Sequence, residues 1–162
     1  QRDVARSVMN WTLGSFAGMR WPNATVMVCC AAVAVLALLF AANTLDAFAF
    51  GETSARSLGV SVNRARWALL VVTALVTAAT VAVAGPIGFV GLTIPHLVRI
   101  ATGPGHRTLL PLAALAGAAL LLVADTLART IRPGTEVPIG VITAVIGAPV
   151  LVFLLRRQAD QS

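Results

Sequence analysis

The sequence has 162 residues, 58% of them hydrophobic and 11% charged, with a formal net charge of +6. Soluble domains carry about a quarter charged residues. This composition, with a mean hydropathy of +0.89, excludes an ordinary water-soluble domain and reads as an all-α, polytopic membrane helical bundle in contact with lipid. All twelve basic residues are arginine. Without lysine, a Walker A phosphate loop and Schiff-base chemistry are excluded. The arginines stand mostly at the ends of apolar runs, not in the exposed cluster that nucleic acid requires.

The chain opens QRDVARSVMN, with no initiator methionine and no signal-like segment, and reads as a piece whose natural beginning lies further upstream. The first apolar run, 24–42, has 19 residues and no charge, enough for about 28 Å of helix. Its adjacent Cys29 and Cys30 read as small buried hydrophobes rather than a disulfide or metal pair. The second run is 67–84. The third, 85–103, is broken by Gly85, Gly88, Gly91, Pro86 and Pro95. Pro95 predicts a kink. A broken helix at membrane depth must be buried in protein or line a cavity, so this run is expected to touch other helices on most sides. His96 follows the kink and is expected to bond to the backbone that the kink frees; one histidine without a second ligand makes a poor metal site. The fourth run is 109–131. The fifth, 137–155, has Thr135 as a candidate cap, Pro138 in its first turn and Gly140, Ala144 and Ala148 on one face for close helix approach. About five transmembrane helices are therefore expected.

Arginine placement sets the orientation. With five spans, residues 43–66, 99–108 and the C-terminus share a side that holds Arg56, Arg64, Arg66, Arg99, Arg107, Arg156 and Arg157. The opposite side holds Arg20, Arg129 and Arg132. The positive-inside rule makes the first side cytoplasmic. His106 and Arg107 are then expected in an inner loop, solvated or against a partner.

The polar stretch GETSARSLGV, 51–60, is thus a cytoplasmic excursion. Thr44 can cap a short helix with Asp46 near its positive end, Glu52 and Arg56 can pair four residues apart, and Gly59 can stop the helix. A capped amphipathic connector without a partner fits these features as well as a docking element does. In the fourth run, Asp125 falls near the outer edge of the apolar core, and Arg129 can pair with it and snorkel outward. That pair reads either as self-neutralising or as a docking surface.

Resemblance narrows these alternatives. Glu52, Ala55 and Gly59, at their spacing, resemble the coupling loop of ABC importer permeases. The stretches GPIGFVGLTIPHLVRIATGPGHRTLLP, ADTLART and EVPIGVITAVIGAPVLVFLLRR, with WTLGSFAGMRW near the start, resemble the iron–siderophore and vitamin B12 importer permeases of the FecCD family. The likeness runs from about residue 11 to 157 and matches the C-terminal half of a family fold with about ten spans. It implies a single permease domain over 1–162, an outer-side re-entrant segment at 1–23 and a cytoplasmic coupling loop at 43–66. It implies ATPase coupling through Glu52, Ala55, Arg56, Leu58 and Gly59, and binding-protein docking through Arg129, with Arg132 a second candidate. Gly88, Gly91, Pro95 and His96 would lie on a kinked pathway or packing helix. The implied partners are an ABC ATPase subunit, a periplasmic or lipoprotein substrate-binding protein and a second permease subunit, identical or homologous, in a bacterial inner membrane. The cargo would be a ferric siderophore, cobalamin or haem, with no resident cofactor or metal and no catalysis in this chain. An ion-gradient-driven transporter would also use broken helices, but Asp125 is the one plausible intramembrane acid. A membrane enzyme lacks its nucleophile or acid–base cluster.

Overall fold

The computed structural model describes residues 4, 8–9, 11–16, 18–49, 51, 61–131 and 137–159. Five helices follow one another: α1 (Trp21–Ala49), α2 (Val62–Ala84), α3 (Val90–Thr102), α4 (His106–Ile131) and α5 (Ile139–Ala159). α1, α2 and α4 are long and apolar enough to cross a bilayer; α3 and the apolar part of α5 are shorter. The expectation of five spans thus resolves into three full-length helices and two shorter ones. α3, with 13 residues, covers only about 20 Å of axis.

α4 is the hub. It packs against α1, α3 and α5, while α1 also packs on α2 and α3 on α5. Alanine dominates the buried positions: Ala42, Ala47, Ala84, Ala124 and Ala128. Phe40, Trp67, Leu75, Leu115 and Leu122 are exposed. That inversion fits lipid as solvent, where large apolar side chains gain nothing by turning inward and small ones let helices approach.

Three expectations change. The first run does not end at 42: α1 continues to Ala49, so Thr44 lies inside a helix and caps nothing. Ala47 and Val62 bury each other, with Phe48 against them, and this packing carries the helix past the polar Asn43 and Thr44. SVNRAR likewise runs into α2, which starts at Val62, so the connector shrinks from 43–66 to 50–61. Thr135 lies outside the described residues.

The third run breaks before Pro95, not at it. Residues 85–89 are non-helical, and α3 passes through Pro95 without interruption. Pro95 sits in the second turn and removes a single donor, the one that would reach the Gly91 carbonyl. Gly85 makes the break possible. It closes α2 at φ +73°, its N–H donates to the Val81 carbonyl, and a Cβ there would collide with the Trp11 carbonyl oxygen. Phe89, at φ +66°, is the one described non-glycine residue with positive φ. It holds that strained conformation with its side chain against Gly147 of α5, where a Cβ would clash.

The small-residue face of α5 is Gly140, Thr143 and Gly147, not Gly140, Ala144 and Ala148. Thr143 and Gly147 are buried, whereas Ala144 and Ala148 are half-buried. Its neighbour at Gly140 is irregular backbone rather than a helix. Gly140 N–H donates to the Gly14 carbonyl at 3.2 Å, and Ser15 N–H donates to the Ala84 carbonyl at 2.9 Å. A Cβ on Gly140 would strike the Leu13 carbonyl oxygen. Gly140→Ala is therefore expected to destabilise the protein by about 1–3 kcal/mol, the usual cost of overpacking, and to lower its thermal midpoint in detergent. Gly91→Ala meets open space and is expected to leave the midpoint unchanged or raised; equal midpoints for the two variants would refute the close approach.

Candidate functional site

The bundle has two differently built ends. At the first, the last turn of α1, the start of α2 and the start of α4 meet. Asp46 Oδ1 accepts the backbone N–H of His106 at 2.9 Å and, in the Nδ1–H tautomer, the ring at 2.6 Å. A carboxylate from α1 therefore caps α4, satisfying an orphan N–H and meeting the positive end of the helix. The His106 side chain is 15% exposed, so it is neither solvated nor free in a loop, as its neighbouring glycines and proline implied. The polar stretch starts and ends here. Glu52, Ala55, Arg56, Leu58 and Gly59 lie outside the described residues, but their flanks are fixed: Gly51 N–H donates to the Phe48 carbonyl, and Ala65 N–H to the Ser61 carbonyl.

At the second end, residues 13–15 thread between the end of α2 and the start of α5. Trp11 Nε1–H donates to the Ala82 carbonyl at 3.3 Å. Ala124 and Ala128 of α4 bury against Ile139, with Phe16, Leu121, Val137 and Ile142 around them. On the outer face of this cluster, Arg129 Nε–H donates to Asp125 Oδ2 at 2.9 Å, with side chains 62% and 24% exposed. The pair joins residues one turn apart, on the surface of α4. Arg132 lies outside the described residues.

α3 lies between the two ends with one face buried and one open. Thr93 and Ile94 are buried against the bundle, and the Thr93 hydroxyl has no partner among the described residues. Gly88, Gly91 and His96 are exposed and Pro95 half-buried. Gly88 and Gly91 have no close neighbour within 4 Å of a Cβ position. The expected contact on most sides is therefore not made among the described residues, nor does a hydrogen bond to His96 occur among them. Pro95 still takes the helical donor from the Gly91 carbonyl, but His96 is exposed and makes no bond to it.

No cluster of three metal-ligating side chains occurs among the described residues. Cys29 and Cys30 are unpaired, exposed and half-exposed respectively on α1. A groove of about 360 Å³ between α1 and α2 is lined by Ala37, Phe40, Ala41, Ala68, Leu69 and Val72, with Thr44 and Ala65; it offers little to orient a polar ligand. Sequence reasoning missed the Asp46–His106 link and the contact of Gly14 with Gly140. A lone acid ending one run and a histidine opening another were the only signal for the first.

The chain is 46% identical over 151 residues, 93% of its length and 40% of the relative's, to the cobalamin import system permease protein BtuC of Halobacterium salinarum. It is 42% identical over 155 residues to the vitamin B12 import system permease protein BtuC of Vibrio cholerae, covering 96% of this chain and 46% of that one. It is 45% identical over 157 residues to the Fe(3+) dicitrate transport system permease protein FecD of Escherichia coli, covering 96% and 49%. A solved structure of a metal-chelate type ABC transporter in an inward-facing conformation superposes with a TM-score of 0.86 at 35% identity, covering 94% of this chain and 49% of that one. The chain thus spans about half the length of the curated relatives it matches. With the FecCD transport family model matching residues 1–157, the chain belongs to that family.

Proposed function

We propose that this chain is the C-terminal half of a permease subunit in a binding-protein-dependent ABC importer for a metal chelate. The observation that carries the reading is the base of the polar stretch. Ala47 and Val62 bury each other, so the chain leaves α1 and enters α2 at one place, and the projection, as the segment from Gly51 to Ser61 is termed, has both its roots there. The seven arginines counted above support its placement on the cytoplasmic side. A projection rooted in two spans is the kind of element on which a nucleotide-driven neighbour can push.

The names of the relatives support the cargo class: a corrinoid, a haem or a ferric chelate. ATP hydrolysis then belongs to a separate ATPase subunit, and this chain supplies the moving spans. Glu52 and Arg56 fix register in the docking surface, Ala55 permits close approach, Leu58 fills a pocket and Gly59 ends the helix. The segment at 1–23 is the outer-side re-entrant element, a reading supported by its bonds to Ala84 and Gly140 at the end opposite Asp46. Arg129, with Arg132, faces an acidic surface of the substrate-binding protein. The open face of α3, with Gly88, Gly91, Pro95 and His96, lines or packs along a pathway completed by segments beyond this chain and by a second permease subunit. The site of action is the cell's inner membrane.

Purification of the full-length protein from membranes tests the whole reading: an ATPase subunit is expected to accompany it. Uptake that follows the proton gradient with no such subunit present would favour an ion-coupled transporter instead. Glu52→Arg and Gly59→Pro are expected to insert normally and to cut uptake about 5-fold or more, the lower range of coupling between linked sites, while ATP hydrolysis persists. Normal uptake by both would contradict the coupling role.

Arg129→Glu is expected to weaken capture of the binding protein about tenfold at low salt, mainly through the association rate, and far less at 0.5 M salt, where the Debye length falls to about 4 Å. Unchanged capture at low salt would remove Arg129 from the docking surface.

A further inference from the structure

Asp46 and His106 are 60 residues apart in sequence, yet one carboxylate oxygen ties them together. The same turn of α1 packs on α2 through Ala47, Phe48 and Val62. Both roots of the projection and the first residue of α4 therefore meet in one small cluster. α4 has 26 residues, about 39 Å of axis. Its far end packs through Ala124 and Ala128 on Ile139 and Phe16, and it bears Asp125 and Arg129. One helix thus reaches from the roots of the projection to the opposite surface.

We propose that Asp46 is a positioning residue for transport: clasped to His106, it is the joint through which displacement of the projection moves α4 as a rod. The proposal rests on reading the projection as the ATPase contact. The physical basis is directionality. Apolar contacts such as Ala47 on Val62 are non-directional and can slide. A carboxylate that accepts two donors from the first residue of a helix fixes both distance and bearing. Both donors belong to His106, so the carboxylate grips the stiff end of α4 rather than a loop. Coupling of this kind is reciprocal: a partner held at the Arg129 end biases the position of the Asp46 end.

The test uses the full-length permease with its ATPase subunit in lipid nanodiscs, all native cysteines replaced, Cys29 and Cys30 by serine. Spin labels at Ala78→Cys on α2 and Thr130→Cys on α4 report the distance between the two helices near the Arg129 end. Adding a non-hydrolysable ATP analogue is expected to shift that distance by about 2 Å or more, the scale of helix shifts in switching proteins. Asp46→Ala is expected to lose at least half of the shift while retaining the ATPase subunit and the nucleotide-free distance. Asp46→Asn, which keeps an oxygen acceptor for the His106 backbone N–H, is expected to retain more of it. A full shift in Asp46→Ala, or no shift in the parent with the ATPase bound, overturns the joint. If Asp46→Ala does not assemble, His106→Ala decides, because it keeps the backbone half of the cap: an undiminished shift overturns the joint. Leu58→Arg in the same background separates the two ideas. An ATPase that stays bound to it sinks the reading of the projection, whatever Asp46 does.

Discussion

Non-helical backbone close to a membrane must find its hydrogen bonds within the protein, because lipid offers none and each orphan group costs several kcal/mol. In this chain that constraint falls on residues 13–15. They meet it by donating to the Ala84 carbonyl and accepting from the Gly140 N–H, and both contacts need backbones closer than a side chain permits. Gly14, Gly85 and Gly140 are the places where a Cβ would strike a carbonyl oxygen. The break at 85–89, the strained Phe89 and the start of α5 are all arranged around this contact. It joins three pieces of chain that are remote in sequence, so it also sets how α2 and α5 sit relative to each other.

From that fixed end, α4 organises the remainder. Alanines at 124 and 128 bring it close to α5, and Gly117 lets Val90 of α3 approach, with the Val90 Cγ1 lying 3.7 Å from a Cβ position. The packing stripe is narrow, and beyond it the helix presents Leu115, Leu122 and Val123 outward. A helix built this way is held by van der Waals fit along one edge and, at its start, by the polar contact with Asp46. The Asp125–Arg129 pair near its other end joins two residues of α4 itself. The open face of α3 follows the same logic in reverse: it carries Gly91, with Gly88 just before the helix, and neither has a close neighbour among the described residues.

The existence and order of the five helices were legible because a bilayer imposes long uncharged runs, and such runs announce themselves. The Asp125–Arg129 pair was legible because four-residue spacing on a helix puts side chains together whatever surrounds them. Boundaries were not. Asn43 and Thr44 look like a helix stop, and only the packing of Ala47 on Val62 overrides them. Pro95 looks like the breakpoint, but the chain breaks where Gly85 can adopt positive φ against the Trp11 carbonyl. The face of α5 was misjudged by one position because four-residue spacing of small residues is common in any alanine-rich helix. What separates Gly147 from Ala148 is the Phe89 side chain, 58 positions away in sequence. Asp46 with His106 and Gly14 with Gly140 were missed for the same reason: a single sequence does not say which distant residues meet.

The two ends of the bundle are fastened by different physics, and this difference bears on how a permease could work. At the Gly14 end, direct backbone contact leaves no slack: a shift of even part of an ångström meets hard repulsion or breaks a hydrogen bond. At the Asp46 end, one carboxylate and a few small apolar side chains hold three helix termini together. Asp46 holds the first residue of α4 through two bonds to one carboxylate oxygen, which fix distance and bearing, whereas alanine on valine has little to interlock. The backbone contact at the Gly14 end joins α2 to α5 and leaves α4 out. A push that reaches α4 through Asp46 would therefore shift α4 against a fixed pair of α2 and α5. Displacement of one packed helix against a fixed pair is a means of opening a path on one side of a membrane while the other stays closed.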